Sequence, residues 1–243
     1  MIFSKISWLT FAVLCPISIC MSTTVSQRVL NWQNAEISVA DLLCNITIPQ
    51  EFWFPIFAVF GIAACNSIQI WLSPMCVVCF KKRNKVARVQ MLRSILYSFL
   101  GMIWIIFNVI VFAFVNCDSM INWLDYDSAF FLEMNVLSDR EFFVIFEAAT
   151  ISVFFELLNT IWFLTLLMLV FHKYYIGLFA FALIYLYDAS SLRMQGVYYL
   201  RYSLIYENCV RENLIEYLLV PNIIISLVMI TALKTALDRK DFF

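Results

Sequence analysis

Long apolar runs alternate with polar stretches along the chain, and within the runs hydrophobic residues follow one another without regular polar interruption. The first run covers residues 6–22 and gives way to a Ser-, Thr- and Asn-rich loop over 23–50. A second, 52–72, opens with Phe52, Trp53, Phe54 and Pro55 just after Glu51. Pro55 falls in the first helical turn, where its missing amide hydrogen costs little. Further runs occupy 95–115, 142–171, 174–192 and 214–233. A hydrocarbon core about 30 Å thick is crossed by about 20 helical residues, so the pattern predicts six transmembrane helices. A membrane barrel would instead show segments of about ten residues alternating apolar and polar.

Two runs depart from the ideal length. The fourth, 142–171, is too long for a straight crossing at about 1.5 Å per residue and is expected to protrude or bend at its acidic end. The fifth has a clean core only from Tyr174 to Tyr187 and reaches Leu192 by crossing Asp188. It is expected to break or turn back before the Tyr-rich stretch 193–213. The last run contains Pro221 and Asn222, with a kink expected at the proline.

Composition agrees with the pattern. The 243 residues are 63% hydrophobic and 14% charged, with a mean hydropathy of +0.87. Soluble domains carry about 25% charged residues, so a water-soluble fold is excluded and an all-α polytopic membrane protein is expected. The net charge of -1 points to no nucleic-acid partner, but the distribution of charge is informative. Lys5, Lys81, Lys82, Arg83, Lys85, Arg88, Arg93, Lys173, Lys234, Arg239 and Lys240 fall on one side of a six-span layout; Arg28, Arg140, Arg193, Arg201 and Arg211 fall on the other. Basic residues near span ends stay in the cytoplasm, which puts both termini there. The first run also reads as a cleaved signal peptide with Lys5 in its basic region, which would leave five spans.

Several chemistries are excluded. The four glycines, Gly61, Gly101, Gly177 and Gly196, stand too far apart for a phosphate-cradling loop, so the chain is not an ATPase itself. The lone His172 rules out a multi-histidine metal site or a Ser-His dyad. Cys76 and Cys79 have metal-pair spacing but no second pair, and read as reduced cysteines beside the membrane. Cys44, Cys117 and Cys209 fall on the external side, where one disulfide has room to form with its pairing open. Asn45, Ile46 and Thr47 match a glycosylation acceptor.

Ionisable and amide side chains inside a span are costly and mark function or helix pairing. Glu156 and Asn159 form one stripe on the fourth run, with Glu147 on the opposite face; Asn222 is a similar point on the last. Two readings stand for these residues, an interhelical hydrogen-bond clasp and a substrate or gating path. Tyr198, Tyr199, Tyr202 and Tyr206 read as an aromatic belt at headgroup depth. In the basic segment 81–94, Val86, Val89 and Leu92 interleave with Lys85, Arg88 and Arg93. A helix there would lie amphipathic on the cytoplasmic surface and feed into the third span, serving as topology signal, anionic-lipid contact or docking element.

This layout resembles the permease subunits of ABC-2 type transporters, and is similar to the small bacterial permeases of bacteriocin and lantibiotic export and immunity systems. The likeness rests on six spans, the aromatic-proline start at Glu51 to Pro55, the basic segment before the third span, the long fourth span and the short turn at His172 and Lys173. The acid that usually precedes the basic segment and the Ser-Arg-x-x-Trp type stretch within it are missing. The resemblance implies a coupling helix over Lys81 to Ser94, with Lys81, Lys82, Arg83, Lys85, Arg88 and Arg93 docking an ATP-binding ABC subunit. It further implies ATP and Mg on that partner and no cofactor on this chain, a second permease subunit, an amphipathic or apolar cargo, and a multi-pass location in the bacterial plasma membrane. The competing expectation is a non-transporting membrane protein with an immunity, assembly or partner-binding role.

Overall fold

The computed structural model describes residues 7–21, 35–46, 54–72, 83–171, 174–190, 202 and 204–239. All regular structure among them is helical: α1 Ser7–Met21, α2 Val39–Asn45, α3 Phe54–Trp71, α4 Arg83–Asn116, α5 Ala129–Met134, α6 Phe142–Phe171, α7 Tyr174–Ser190, α8 Tyr206–Cys209 and α9 Leu214–Arg239. The one extended pairing among them is a single bridge between Glu36 and Ser128.

Three helices are long and apolar enough to cross a bilayer, over Lys85–Asn116, Phe142–Phe171 and Leu214–Leu237, and shorter apolar helices accompany them. The chain is an all-helical membrane protein. Its centre is α6, which packs against α2, α3, α4, α7 and α9. A helix that is apolar all round has no solvent face to keep and sits inside a bundle, and α6 buries residues from Ile145 to Leu169. By contrast α4 is two-faced. Ser94, Ser98, Met102, Ile105, Val109 and Ala113 are buried, while Leu92, Leu96, Phe99, Ile103, Phe107 and Phe114 are exposed. Ile223, Ile224, Leu227 and Val228 of α9 are exposed likewise. In a membrane these outward apolar stripes meet lipid tails, so they carry no penalty.

Helix directions follow from the contacts. Ala87 near the start of α4 shares a buried cluster with Leu169 at the end of α6 and Leu233 and Leu237 at the end of α9, so α4 runs against both. On α7, Phe181 meets Phe163 of α6, and a Cβ on Gly177 would lie 3.3 Å from the Met168 backbone nitrogen. The absent side chain is what lets α7 approach α6, antiparallel to it. Ser7 and Trp8 of α1 bond Asn66 and Ser67 near the end of α3, again antiparallel.

The structure revises two expectations. The basic segment is no separate surface helix: from Arg83 onward it forms the first turns of α4, 34 residues without a break. At 1.5 Å per residue such a helix is about 51 Å long, well beyond the hydrocarbon core. With no Pro between Arg83 and Asn116, nothing forces a turn. Helix α7 is continuous from Tyr174 through Asp188 to Ser190, and α9 is continuous through Pro221 to Arg239. The second revision is α2, which lies inside the stretch read as polar loop. Every residue from Val39 to Asn45 is buried. Lys81, Lys82, Cys76, Cys79, His172, Tyr198 and Tyr199 lie outside the described residues.

Candidate functional site

Three of the four polar residues singled out within the spans are buried inside the bundle. Glu156, Asn159 and Asn222 are all buried, whereas Glu147 is exposed, as the opposite-face geometry requires. The Ser152 hydroxyl donates to Glu156 Oε1 at 3.0 Å from one turn earlier on α6. Asn159 Oδ1 accepts from the Ser226 hydroxyl of α9 at 3.0 Å. Asn222 Nδ2 turns back to the Leu218 carbonyl at 2.8 Å, in the turn that contains Pro221. Of the three residues, only Asn159 therefore has an α6–α9 bond shown here, and its partner, Ser226, carried no mark in the sequence. Membrane hydrogen bonds of this kind average about 0.6 kcal/mol. A double-mutant cycle on Asn159→Leu and Ser226→Ala, read by SDS-induced unfolding, should return a coupling of about 0.5–1.5 kcal/mol. Strict additivity would show that the bond is not made.

A second polar cluster, unforeseen, lies at the other end of the bundle from Lys85. Asp41 on α2 is fully buried and its carboxylate takes four hydrogen bonds. Oδ2 accepts from the Ser38 amide and hydroxyl, both at 2.7 Å. Oδ1 accepts from Trp123 Nε1 at 2.7 Å and from the Tyr206 hydroxyl at 2.8 Å. The local signal was legible: Ser38 and Asp41 form a capping box at the start of α2, each satisfying the other's backbone. Backbone bonds strap this helix to the segment after α4. Val39 and Ala40 donate to the Ser119 and Met120 carbonyls, Glu36 donates to Asp127, and Ala129 donates back to Glu36. Trp123 stacks on Phe130 of α5 with centroids 4.2 Å apart, and Tyr206 meets both rings edge-on.

Burial pushes the Asp41 carboxyl above its ordinary 3.8, with the Ser38, Trp123 and Tyr206 hydrogen bonds opposing the shift. Burial first, and Asp41 next, hold Tyr206 well above the usual phenol range, so its hydroxyl stays a donor. Tyr206 is thus a buried strut and not part of an interfacial belt; Tyr202, half-buried, meets Tyr217 at 5.9 Å. Beside Asp41, the Cys44 and Cys209 thiols lie 3.5 Å apart. Asn45 of the glycosylation acceptor is buried in the same helix, and Thr47 lies outside the described residues. No group of three or more potential metal ligands occurs among the described residues.

The basic segment divides. Lys85 and Arg88 are exposed on the first turns of α4, joined at the same end by exposed Lys234 of α9. Arg93 instead places its guanidinium over the Trp71 ring at 5.5 Å. The inward face of these turns is Val86, Gln90 and Ser94, with Leu92 outward, not the Val86, Val89 and Leu92 stripe expected. Gln90 Nε2 donates to Thr165 of α6 at 3.4 Å, fixing that rotation.

Comparisons with protein-family models, with curated proteins and with solved structures find no match.

Proposed function

We propose that the chain is the membrane-spanning subunit of a complex, with six crossings and both termini in the cytoplasm, whose soluble partner docks on the basic start of α4. The more specific form of this reading is an ABC-2 type permease subunit in the plasma membrane of a bacterium. ATP and Mg belong to the docked partner, a second permease subunit completes the pair, and the cargo is amphipathic or apolar. The observation that carries it is the continuity of α4: a helix about 51 Å long outspans a hydrocarbon core of about 30 Å, and Lys85 and Arg88 are exposed on its first turns. The sequence between Glu51 and Asp118 contains no acidic residue, so the segment as a whole is strongly basic. A rigid lever of this kind transmits a push on its tip to the lipid-crossing turns of the same helix, which is what coupling to an ATP-driven partner requires.

Changing Lys85 and Arg88 together to Glu leaves the inward Val86, Gln90 and Ser94 face untouched. The double variant should reach the membrane at the wild-type level and lose at least about tenfold of its co-purifying nucleotide-binding partner, since like-charge juxtaposition at an interface costs several kcal/mol. Arg93→Glu is a poorer probe, because it also removes the contact with Trp71. Undiminished co-purification with the double variant would exclude docking at this site.

One observation favours a second reading, a non-transporting protein with an immunity, assembly or partner-binding role. The side chains that would line a path are engaged in packing: Asn159 with Ser226 and Glu156 with Ser152. Under this reading the wild-type protein, extracted in mild detergent, brings no ATPase with it.

A further inference from the structure

The short helices α2 and α8 meet through two pairs of side chains with the same offset. Asp41 and Cys44 stand three residues apart on α2, and Tyr206 and Cys209 stand three residues apart on α8, so each pair shares one helix face. Across the contact Asp41 bonds Tyr206, and Cys44 meets Cys209 one turn further on, with the same 165-residue separation in both cases. Both sulfurs belong to residues with no exposed surface, and the thiols are already in van der Waals contact at 3.5 Å. Cys117, the third cysteine at this end, is half-buried just past α4.

We propose that Cys44 and Cys209 are joined by a disulfide in the mature protein, a covalent staple between α2 and α8 beside the Asp41 cluster. The staple rests on the orientation given under Proposed function, which puts this end of the bundle on the extracytoplasmic side, where disulfides persist. The oxidant is a disulfide-bearing thiol oxidoreductase of that compartment. One cysteine, as thiolate, attacks a sulfur of the carrier disulfide and forms a mixed disulfide, releasing a carrier thiolate. The second cysteine thiolate then attacks the chain's own sulfur in that bond and displaces the other carrier thiolate. Overall two protein thiols give up two electrons and two protons, and the carrier disulfide becomes a dithiol. Burial holds the Cys44 thiol well above its usual range, and thiolate is the reactive form. Closure therefore belongs to folding, before α2 is covered, and the finished bond is shielded from reductants.

The test is a thiol census on the full-length protein. Membranes are quenched with N-ethylmaleimide under denaturing, non-reducing conditions, digested, and analysed by mass spectrometry. The expected result is a linked peptide containing Cys44 and Cys209, two hydrogens lighter than the sum of its parts, with Cys117 alkylated. Either single change, Cys44→Ser or Cys209→Ser, should leave the remaining partner alkylated. Full alkylation of Cys44 and Cys209 in the unreduced wild type, or a bond from either to Cys117, overturns the proposal. Orientation is read separately with a membrane-impermeant amine reagent on intact cells, because every lysine falls on the cytoplasmic side of the proposed layout. Silent lysines with free thiols sink the staple alone. Labelled lysines sink the orientation, and the census still decides the bond.

Discussion

Replacing Asp41 by Ala should be the most damaging single polar change in the described residues, lowering stability by about 3–5 kcal/mol. The carboxylate is the common acceptor for the Ser38 amide, the Ser38 hydroxyl, Trp123 Nε1 and the Tyr206 hydroxyl, and the residue is fully buried. Removing it strands two N–H donors that have no rotational freedom to seek water, at about 1–3 kcal/mol each, and adds a small cavity. Asp41→Asn is the informative companion. Its oxygen still serves Trp123 and Tyr206, but its amide nitrogen faces the Ser38 N–H, so about 1–3 kcal/mol is lost for one orphaned donor. The measurement is the midpoint of SDS-induced unfolding in mixed micelles, followed by near-ultraviolet circular dichroism, to which the stacked Trp123 and Phe130 contribute.

The same residue sets a pH dependence whose sign is opposite to that of an ordinary salt-bridged carboxylate. Burial raises the Asp41 carboxyl above 3.8 in the folded protein, so the folded state binds more protons than the unfolded one just above that value. The corresponding stability is fully present below the unfolded pKa and is lost as pH rises through the folded one. Wild-type stability should therefore increase on acidification toward pH 3.8, relative to Asp41→Asn, whose amide does not titrate. A wild-type profile parallel to that of the Asn variant across this window would show that the four donors cancel the effect of burial.

How much of this could be seen in the sequence depended on whether a signal was local. The run 142–171 coincides with α6 because its apolar stretch is bounded by Glu141 and His172 and nothing within it competes with the helix. Apolar continuity marks the run 95–115 but not where its helix begins, because α4 starts at Arg83 within the basic segment. The buried stripe of Gln90, Ser94, Ser98 and Met102 at four-residue spacing continues the same helix face beneath the basic residues. Glu156 and Asn159 were identifiable by their rarity in such a setting. Ser226 was not, since serines in membrane helices commonly bond their own backbone and advertise no partner. The α2 cluster shows the sharper limit. Its capping box and the apolar Val39, Ala40, Leu42 and Leu43 are readable, yet they sit in a Ser-, Thr- and Asn-rich stretch whose composition reads as solvated loop. The pairing of Asp41 with Trp123 and Tyr206, 82 and 165 residues away, leaves no local trace.

Trp8→Ala should detach α1 from the bundle, at about 3 kcal/mol. Burying apolar surface against other helices gains little over burying it in lipid, so α1 must be held by packing geometry and hydrogen bonding. Trp8 supplies both. Its ring stacks on Tyr97 of α4 at 4.8 Å and meets Phe60 of α3 edge-on at 5.7 Å, and Phe11 from the next turn at 5.9 Å. Its Nε1 donates to the Ser67 hydroxyl at 2.8 Å. Aromatic pairs contribute about 0.5–1.5 kcal/mol each, and the two that cross to other helices are lost with the ring. The hydrogen bond adds about 0.6–1 kcal/mol, and the space vacated between Tyr97 and Phe60 accounts for the rest. Tyr97 also lies against Trp71, 5.3 Å away, which in turn carries the Arg93 guanidinium. Loss of Trp8 thus loosens the support beneath the basic turns of α4. Trp8→Phe separates the contributions: it keeps a ring between Tyr97 and Phe60 and removes only the bond to Ser67, so it should cost about 1 kcal/mol, matched by Ser67→Ala. If Trp8→Ala unfolds within about 0.5 kcal/mol of wild type in the same SDS titration, α1 is a lipid-facing passenger. The aromatic ladder from Phe60 to Arg93 would then transmit nothing.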